Sequence, residues 1–258
     1  MTEAGQAEPG QAEAGRVEPG QPEPGQSNAE QTQAGRVELA QVDLWLLDVR
    51  APQPALDPAV LDAEERERAA RFLREGDRVL YTVAHTALRA VLAARTGVPA
   101  ADLRFERAPC PCCGALHGRP RLASADGPEF SLSHGGDLVL IGLAPQSAPI
   151  GVDVERLPGP ETVRETTATL HPAERTELAA AAGGPSPEAF ARIWTRKEAY
   201  LKALGTGLGR EPSADYVGEA DPAALPQGWT IATLDAGPTH AAAFAVAASA
   251  ATFTFHEL

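Results

Sequence analysis

Apolar residues change their spacing several times along this chain, and each change predicts an element. Residues 42–47, Val-Asp-Leu-Trp-Leu-Leu, read as a strand. Residues 62–75 are rich in Arg and Glu; Asp62 opens a helix there, Ala69, Phe72 and Leu73 form its apolar stripe, and Gly76-Asp77 breaks it. A second helix is predicted over 77–96, with Val79, Val83, Leu88, Val91 and Leu92 inward and Gly97 as its C-cap. A short strand at 103–106 leads into a loop over 108–127, crowded with Pro, Gly and Cys. Residues 130–133 and 138–143 read as strands around the turn Ser133-His134-Gly135-Gly136, and 150–155 as another strand after Pro149. Helices are predicted over 171–182 and 187–204, and strands near 229–234 and 242–246.

Residues 1–40 break this pattern. Glu-Pro-Gly recurs at Glu8, Glu18 and Glu23, and Gly-Arg-Val-Glu at Gly15 and Gly35, with almost no large apolar side chain. Such a segment buries too little surface to offset its ordering entropy, so a disordered acidic tail is expected. The repeat has no hydrophobic face to stack, which excludes a solenoid. Order is expected from Val42. The remaining order is strand, two helices, strands, then strand, helices, strands. That predicts an α+β fold of two similar halves, 41–147 and 148–258, joined near 145–149.

Charge and composition narrow the function. A formal net charge of −13 over 258 residues excludes a nucleic-acid binder with a broad basic face. It leaves room for a phosphate held locally, above all through a bound metal. The N-terminus has no apolar stretch of the secretory kind, and the run at 241–252 is too short and too alanine-rich to span a bilayer. The three cysteines all fall within 110–113, which is no disulfide framework. A cytoplasmic chain without a membrane partner is expected.

Four patterns carry candidate chemistry. In Gly151-Val152-Asp153-Val154-Glu155, Ile150, Val152 and Val154 face the core, and Asp153 and Glu155 leave the other face roughly 7 Å apart. Two carboxylates that close suit a hard divalent cation; the plain alternative is a half-solvated acidic face. Trp194, Glu198 and Lys202, at i, i+4 and i+8, share one helical stripe. Glu198 and Lys202 are either an ordinary surface ion pair or a carboxylate and an ammonium set side by side toward a phosphate. Ser133-His134 can offer a hydroxyl and an imidazole to an anion, or be an incidental turn. Arg119 and Arg121 in Gly118-Arg119-Pro120-Arg121 can contact phosphate, although basic loop residues are usually only solvated. Gly205-Thr206-Gly207-Leu208-Gly209 follows a helix rather than a strand and fails the dinucleotide fingerprint. No P-loop, His-Glu-x-x-His or Gly-x-Ser-x-Gly is present. Cys110, Cys113 and His117, with Cys112, just reach the four ligands of a structural zinc, but a second Cys-x-x-Cys pair is missing and a metal-free loop is the favoured reading.

Taken together, the motifs resemble those of the phosphopantetheinyl transferase superfamily. Phe130-Ser131-Leu132-Ser133-His134, Gly151-Val152-Asp153-Val154-Glu155 and the segment from Trp194 to Lys202 are similar to its three motifs in order and spacing; Gly118-Arg119-Pro120 is similar to its Gly-Lys-Pro element. The length resembles the larger surfactin-type class, a monomer whose two halves are related by a pseudo-two-fold. The resemblance implies transfer of 4′-phosphopantetheine from coenzyme A to a serine of an apo acyl or peptidyl carrier protein, with adenosine 3′,5′-bisphosphate released. It implies Mg2+, or Mn2+ in its place, held by Asp153, Glu155 and Glu198, with Glu198 also the base for the carrier serine. Lys202 is implied to neutralise phosphate charge. Ser133 and His134, beside Asp153 and Lys202, are implied contacts of the coenzyme A phosphates, and Arg119 of its nucleotide end. Arg68 stands where the family often places a basic phosphate contact, while Glu65 is acidic where a base is expected. The rival reading is a catalytically inactive module of the same fold that binds coenzyme A or a carrier, which loss of the acidic trio would mark. A third is a zinc-stabilised interaction domain centred on 110–117.

Overall fold

The structure, a computed structural model, describes residues 37–52, 56–124, 126–181 and 184–258. The expected tail lies outside the described residues except at its end, where a strand begins at Val37, ahead of Val42. Among the described residues the elements run β1 (Val37–Asp48), α1 (Ala63–Ala70), α2 (Glu75–Thr96), β2 (Phe105–Arg107), β3 (Pro120–Leu122), β4 (Glu129–Gly135), β5 (Leu138–Ala144), β6 (Ile150–Arg156), α3 (Pro160–Thr167), α4 (Pro172–Ala180), α5 (Pro187–Leu204), β7 (Thr230–Leu234), β8 (His240–Val246) and β9 (Ala248–Phe255).

Two sheets carry the fold, in the orders β4-β5-β1-β9 and β6-β8-β7, and β2 and β3 form a separate hairpin. All pairs are antiparallel except β1 with β9. The period-two pleat sorts the side chains. On β5, Leu138, Leu140 and Ala144 enter the core between the sheets, whereas Val139, Ile141 and Leu143 pack under α2 with Ala84, Leu88 and Leu92. On β8, Ala242, Phe244 and Val246 face the same inter-sheet core, whereas Ala243 and Ala245 lie under α5 with Ala199 and Ala203. The layers are therefore α2, first sheet, second sheet, α5, an α+β architecture. No helix among the described residues is long and apolar enough to cross a membrane.

Local chemistry moves several boundaries. Asp62 caps α1 in a capping box with Glu65, but α1 stops at Ala70; Phe72 then packs its ring, tilted, against Tyr81, and Leu73 is fully exposed rather than part of a stripe. Val79 is also exposed, because the buried stripe of α2 runs through Tyr81, Ala84, Leu88 and Val91. Gly97 caps α2 at φ +73°, as its position predicts. The hairpin turn is Gly136-Asp137, with Gly135 paired to Leu138 and Gly136 at φ +60°, so Ser133 and His134 belong to the strand, not to the turn. The loop expected over 108–127 contains β3, and α3 and β9 are additional elements.

β4 and β6 are edge strands of different sheets lying side by side, joined by side chains instead of a backbone ladder. Ser131 Oγ accepts the Val152 N–H at 3.0 Å, and Ser133 Oγ accepts the Val154 N–H at 3.3 Å. An edge strand carries a row of unpaired N–H groups. The alternating serines of Phe-Ser-Leu-Ser satisfy that row while Phe130 and Leu132 face α2.

Candidate functional site

The site exists because α5 rests directly on β6. A Cβ on Gly151 would lie 2.0 Å from the Ala199 carbonyl oxygen and 2.6 Å from the Ala203 nitrogen. Only a glycine permits that approach, and the alanines of α5 and β8 keep the rest of the contact thin. Asp153 and Glu155 follow Gly151 on the same face of the strand, so both reach α5 where Glu198 and Lys202 stand one turn apart.

The other face of α5 fixes it in place. Arg196 donates to the carbonyls of Val217 at 2.6 Å, Gly218 at 3.0 Å and Ile231 at 3.3 Å. Lys197 Nζ donates to Glu174 Oε1 at 2.8 Å, with both side chains buried, and also to the carbonyl of Asp215. Glu174 in turn accepts the Val217 N–H at 2.7 Å. Trp194 stacks on Phe190 and packs with Val163, Leu170 and Leu178. In this motif Trp194, Arg196 and Lys197 therefore build, and Glu198 and Lys202 face the site.

Asp153 is the centre. Only 1% of it is exposed, so the half-solvated reading of this strand face does not describe it. Its Oδ1 accepts from Lys202 Nζ at 2.5 Å and from Ser133 Oγ at 2.9 Å, and Lys202 also donates to Ser133 Oγ at 3.0 Å. Its Oδ2 is buried with no hydrogen-bond partner, an arrangement that costs free energy unless something else binds that oxygen. Burial, then Asp153 and Glu198, push the Glu155 carboxyl up to about 7, with Lys202 opposing. Burial and Asp153 push Glu198 up as well, again against Lys202.

One ammonium thus faces three carboxylates that repel one another. The donor set, all hard oxygens with one buried and unpartnered, fits a divalent cation of the Mg2+ type. Among the described residues, the one group of three or more such side chains whose donor atoms all lie within 4.8 Å of one another is Cys110, Cys113 and His117.

His134 is exposed at the rim of this centre, but crowding by the surrounding walls, then His85 and Lys202, lower its pKa. His85, on α2, carries no motif and sequence reasoning passed over it; its one signal is a polar residue on a largely apolar helix face. Its ring stacks on Tyr81 at 4.0 Å and its Nδ1 lies 3.1 Å from Glu65 Oε1. Arg68, exposed on α1, is near enough to act on the Tyr81 hydroxyl. Lys202, His134, His85 and Arg68 thus form a cationic or protonatable series from the carboxylates toward α1.

Glu65 has a structural task. It accepts from the fully buried Arg89 at 2.7 Å, and Arg89 reaches Asp62 at 2.8 Å. Burial alone would raise the Glu65 carboxyl, but His85, the Asp62 amide and Arg89 outweigh it and hold it low. Arg119 grips Glu129 through two 3.1 Å bonds and points its remaining nitrogen at the Ala203 carbonyl, 3.5 Å away at the end of α5. Arg121 pairs with Glu106 across the β2–β3 hairpin instead. A hollow of about 410 Å³ beside α3 and another of about 190 Å³ beside β3 are lined by none of the three carboxylates.

Comparison with known proteins matches this chain to a family. The model of the 4′-phosphopantetheinyl transferase superfamily matches residues 149–239, which include Asp153, Glu155, Glu198 and Lys202. A putative 4′-phosphopantetheinyl transferase of Synechocystis sp. is 31% identical over 167 residues, covering 64% of this chain and 65% of that protein. The 4′-phosphopantetheinyl transferase HetI of Nostoc sp. is 30% identical over 173 residues, covering 64% of this chain and 69% of that protein. The Bacillus subtilis 4′-phosphopantetheinyl transferase Sfp is 24% identical over 148 residues, covering 57% of this chain and 62% of that protein. The chain spans a little under two thirds of the length of the Synechocystis and Bacillus relatives. With that similarity and with the family's motifs folded into one acidic centre, the chain belongs to the 4′-phosphopantetheinyl transferase superfamily.

Proposed function

We propose that this protein transfers the 4′-phosphopantetheine arm of coenzyme A to a serine hydroxyl of an apo acyl or peptidyl carrier protein, releasing adenosine 3′,5′-bisphosphate. The observation that carries the reading is the convergence of Asp153, Glu155, Glu198 and Lys202 from β6 and α5, with one Asp153 oxygen buried and unpartnered. In this reading each half centres on one helix-backed sheet, with β9 crossing from 148–258 to pair with β1 in the first sheet. Coenzyme A and carrier substrates support a cytoplasmic location in this reading.

Asp153, Glu155 and Glu198 would hold Mg2+, which when bound supplies positive charge against the coenzyme A diphosphate. The rest falls to side chains. Phosphoryl transfer needs positioning and charge neutralisation more than covalent help from the protein. The carrier serine oxygen forms the new bond to the phosphorus that bears the pantetheine arm. The bond from that phosphorus to the bridging oxygen breaks, and the electron pair leaves with adenosine 3′,5′-bisphosphate. Glu198, its carboxyl raised above the ordinary value by burial and Asp153, accepts the serine proton. Lys202 offsets charge on the departing phosphate. Ser133 holds Asp153 and Lys202 in register. His134, Arg68 and Arg119 are assigned to the coenzyme A phosphates and nucleotide end.

The test is to incubate the full chain with coenzyme A, Mg2+ and a panel of apo carriers and to follow carrier mass. One added phosphopantetheine arm is expected on at least one carrier, and no gain on any would overturn the proposal. Glu198→Gln is expected to abolish the gain while circular dichroism stays unchanged. Full activity in that variant would remove Glu198 as the base.

A further inference from the structure

A second cluster lies outside the acidic centre, in the loop between β2 and β3. We propose that Cys110, Cys113 and His117 bind a structural Zn2+ that fixes this hairpin and, through it, the segment carrying Arg119.

The donor atoms of the three residues all lie within 4.8 Å of one another, and Cys113 Sγ is 3.0 Å from His117 Nε2. A tetrahedral zinc, with bonds of about 2.3 Å to sulfur and about 2.0 Å to nitrogen, needs such atoms roughly 3.5–3.8 Å apart. The backbone is shaped for this convergence. The amides of Cys112 and Cys113 both donate to the Cys110 sulfur and hold it at the mouth of the loop. Gly114 at φ +75° brings its N–H to the Cys110 carbonyl at 2.7 Å and reverses the chain, and Cys110 N–H reaches the Ala115 carbonyl at 2.8 Å. Gly118 closes the loop with a 2.9 Å bond to the Ala108 carbonyl, so tightly that a Cβ there would lie 2.6 Å from that oxygen.

Hydrophobic burial does not account for this order. Cys110 is buried, but Leu116, the loop's largest apolar side chain, is 73% exposed. All three thiols are free; that of Cys112 contacts Cys110 but is not among the three donors that converge, so an outside ligand would complete the tetrahedron. Two soft sulfurs and an imidazole select zinc over the hard cation suited to the carboxylates. The loop returns directly into Gly118 and Arg119, and Arg119 touches the end of α5. A metal clip here would set the position of a group assigned to coenzyme A.

The full chain should be purified after growth with zinc, gel-filtered, and assayed for metal by mass spectrometry. About one zinc per chain is expected, with loss to background in Cys113→Ser and in His117→Ala. Metal-free protein titrated with Co2+ alone should develop thiolate-to-cobalt absorption, absent in Cys113→Ser. Absence of zinc together with no such absorption overturns the proposal, as does a Cys110–Cys113 disulfide in the protein as isolated. With Mg2+ in excess, a zinc-selective chelator should raise the KM for coenzyme A more than it lowers kcat. That last arm rests on the transferase reading; metal content and the cobalt spectrum do not, so the two failures are distinguishable.

Discussion

Glu155 provides a quantitative test of the acidic centre. Its carboxyl is raised from 4.5 to about 7, which at about 1.4 kcal/mol per pH unit corresponds to about 3 kcal/mol. Solvent reaching this half-buried group reduces the figure to about 2–3 kcal/mol. In the unfolded chain the carboxyl is ordinary. Between about pH 4.5 and 7 the folded state therefore binds more protons than the unfolded state, and stability must fall as pH rises. Below that window the protonated group costs nothing; above it the full penalty applies. Glu155→Gln removes this titration. In magnesium-free buffer the variant should match the parent near pH 5 and exceed it by about 2–3 kcal/mol at pH 8. Urea unfolding at pH 5, 6, 7 and 8 measures the difference. Saturating Mg2+ should reverse the order at pH 8, because the cation needs the ionised carboxylate. A stability difference that stays flat from pH 5 to 8, or a variant less stable than the parent at pH 8 without magnesium, refutes the electrostatic argument.

Three further outcomes follow from the packing. Gly151→Ala places a Cβ 2.0 Å from the Ala199 oxygen; α5 must lift, so stability should fall by about 1–3 kcal/mol and turnover with it, whereas Gly76→Ala, with nothing within 4 Å, should lower neither. Ser131→Ala and Ser133→Ala each strand a β6 N–H and should cost about 1–3 kcal/mol in urea unfolding. Only Ser133→Ala should also cut turnover, because it alone releases Asp153 and Lys202; equal activity in the two variants would reduce Ser133 to an edge cap. Lys197→Met leaves Glu174 charged and buried, a loss of about 3–5 kcal/mol that added Mg2+ should not rescue. Lys202→Met removes the ammonium beside Asp153, and thermal unfolding should show Mg2+ restoring that loss.

How much of this was legible in the sequence depends on which residue carried the information. The alternation of Ile150, Val152 and Val154 against Asp153 and Glu155 is local, and so is the stripe of Glu198 and Lys202, so both halves of the centre could be read from spacing. β9 was legible only in part: Phe253 and Phe255 alternate with Thr252 and Thr254, but its first half is small and Ala-rich, and its partner β1 lies some two hundred residues away and parallel. Ser131 was part of a quoted motif, but its task depends on two sheet edges meeting, which no local pattern encodes. Glu65 looked out of place against the family pattern because its reason is Arg89, buried on the next helix.

The decisive ambiguity was whether the acidic face of β6 is washed by water or covered, since a surface carboxylate pair and a cation site have the same spacing. Exposure follows from how near α5 comes, and that distance is set by a residue with no side chain. Gly151 reads in sequence as a mild weakening of a strand. In the fold, the missing Cβ brings a helix backbone onto the strand, buries Asp153 and sets Glu198 against it, turning an acidic strand face into a covered centre where three carboxylates meet one ammonium.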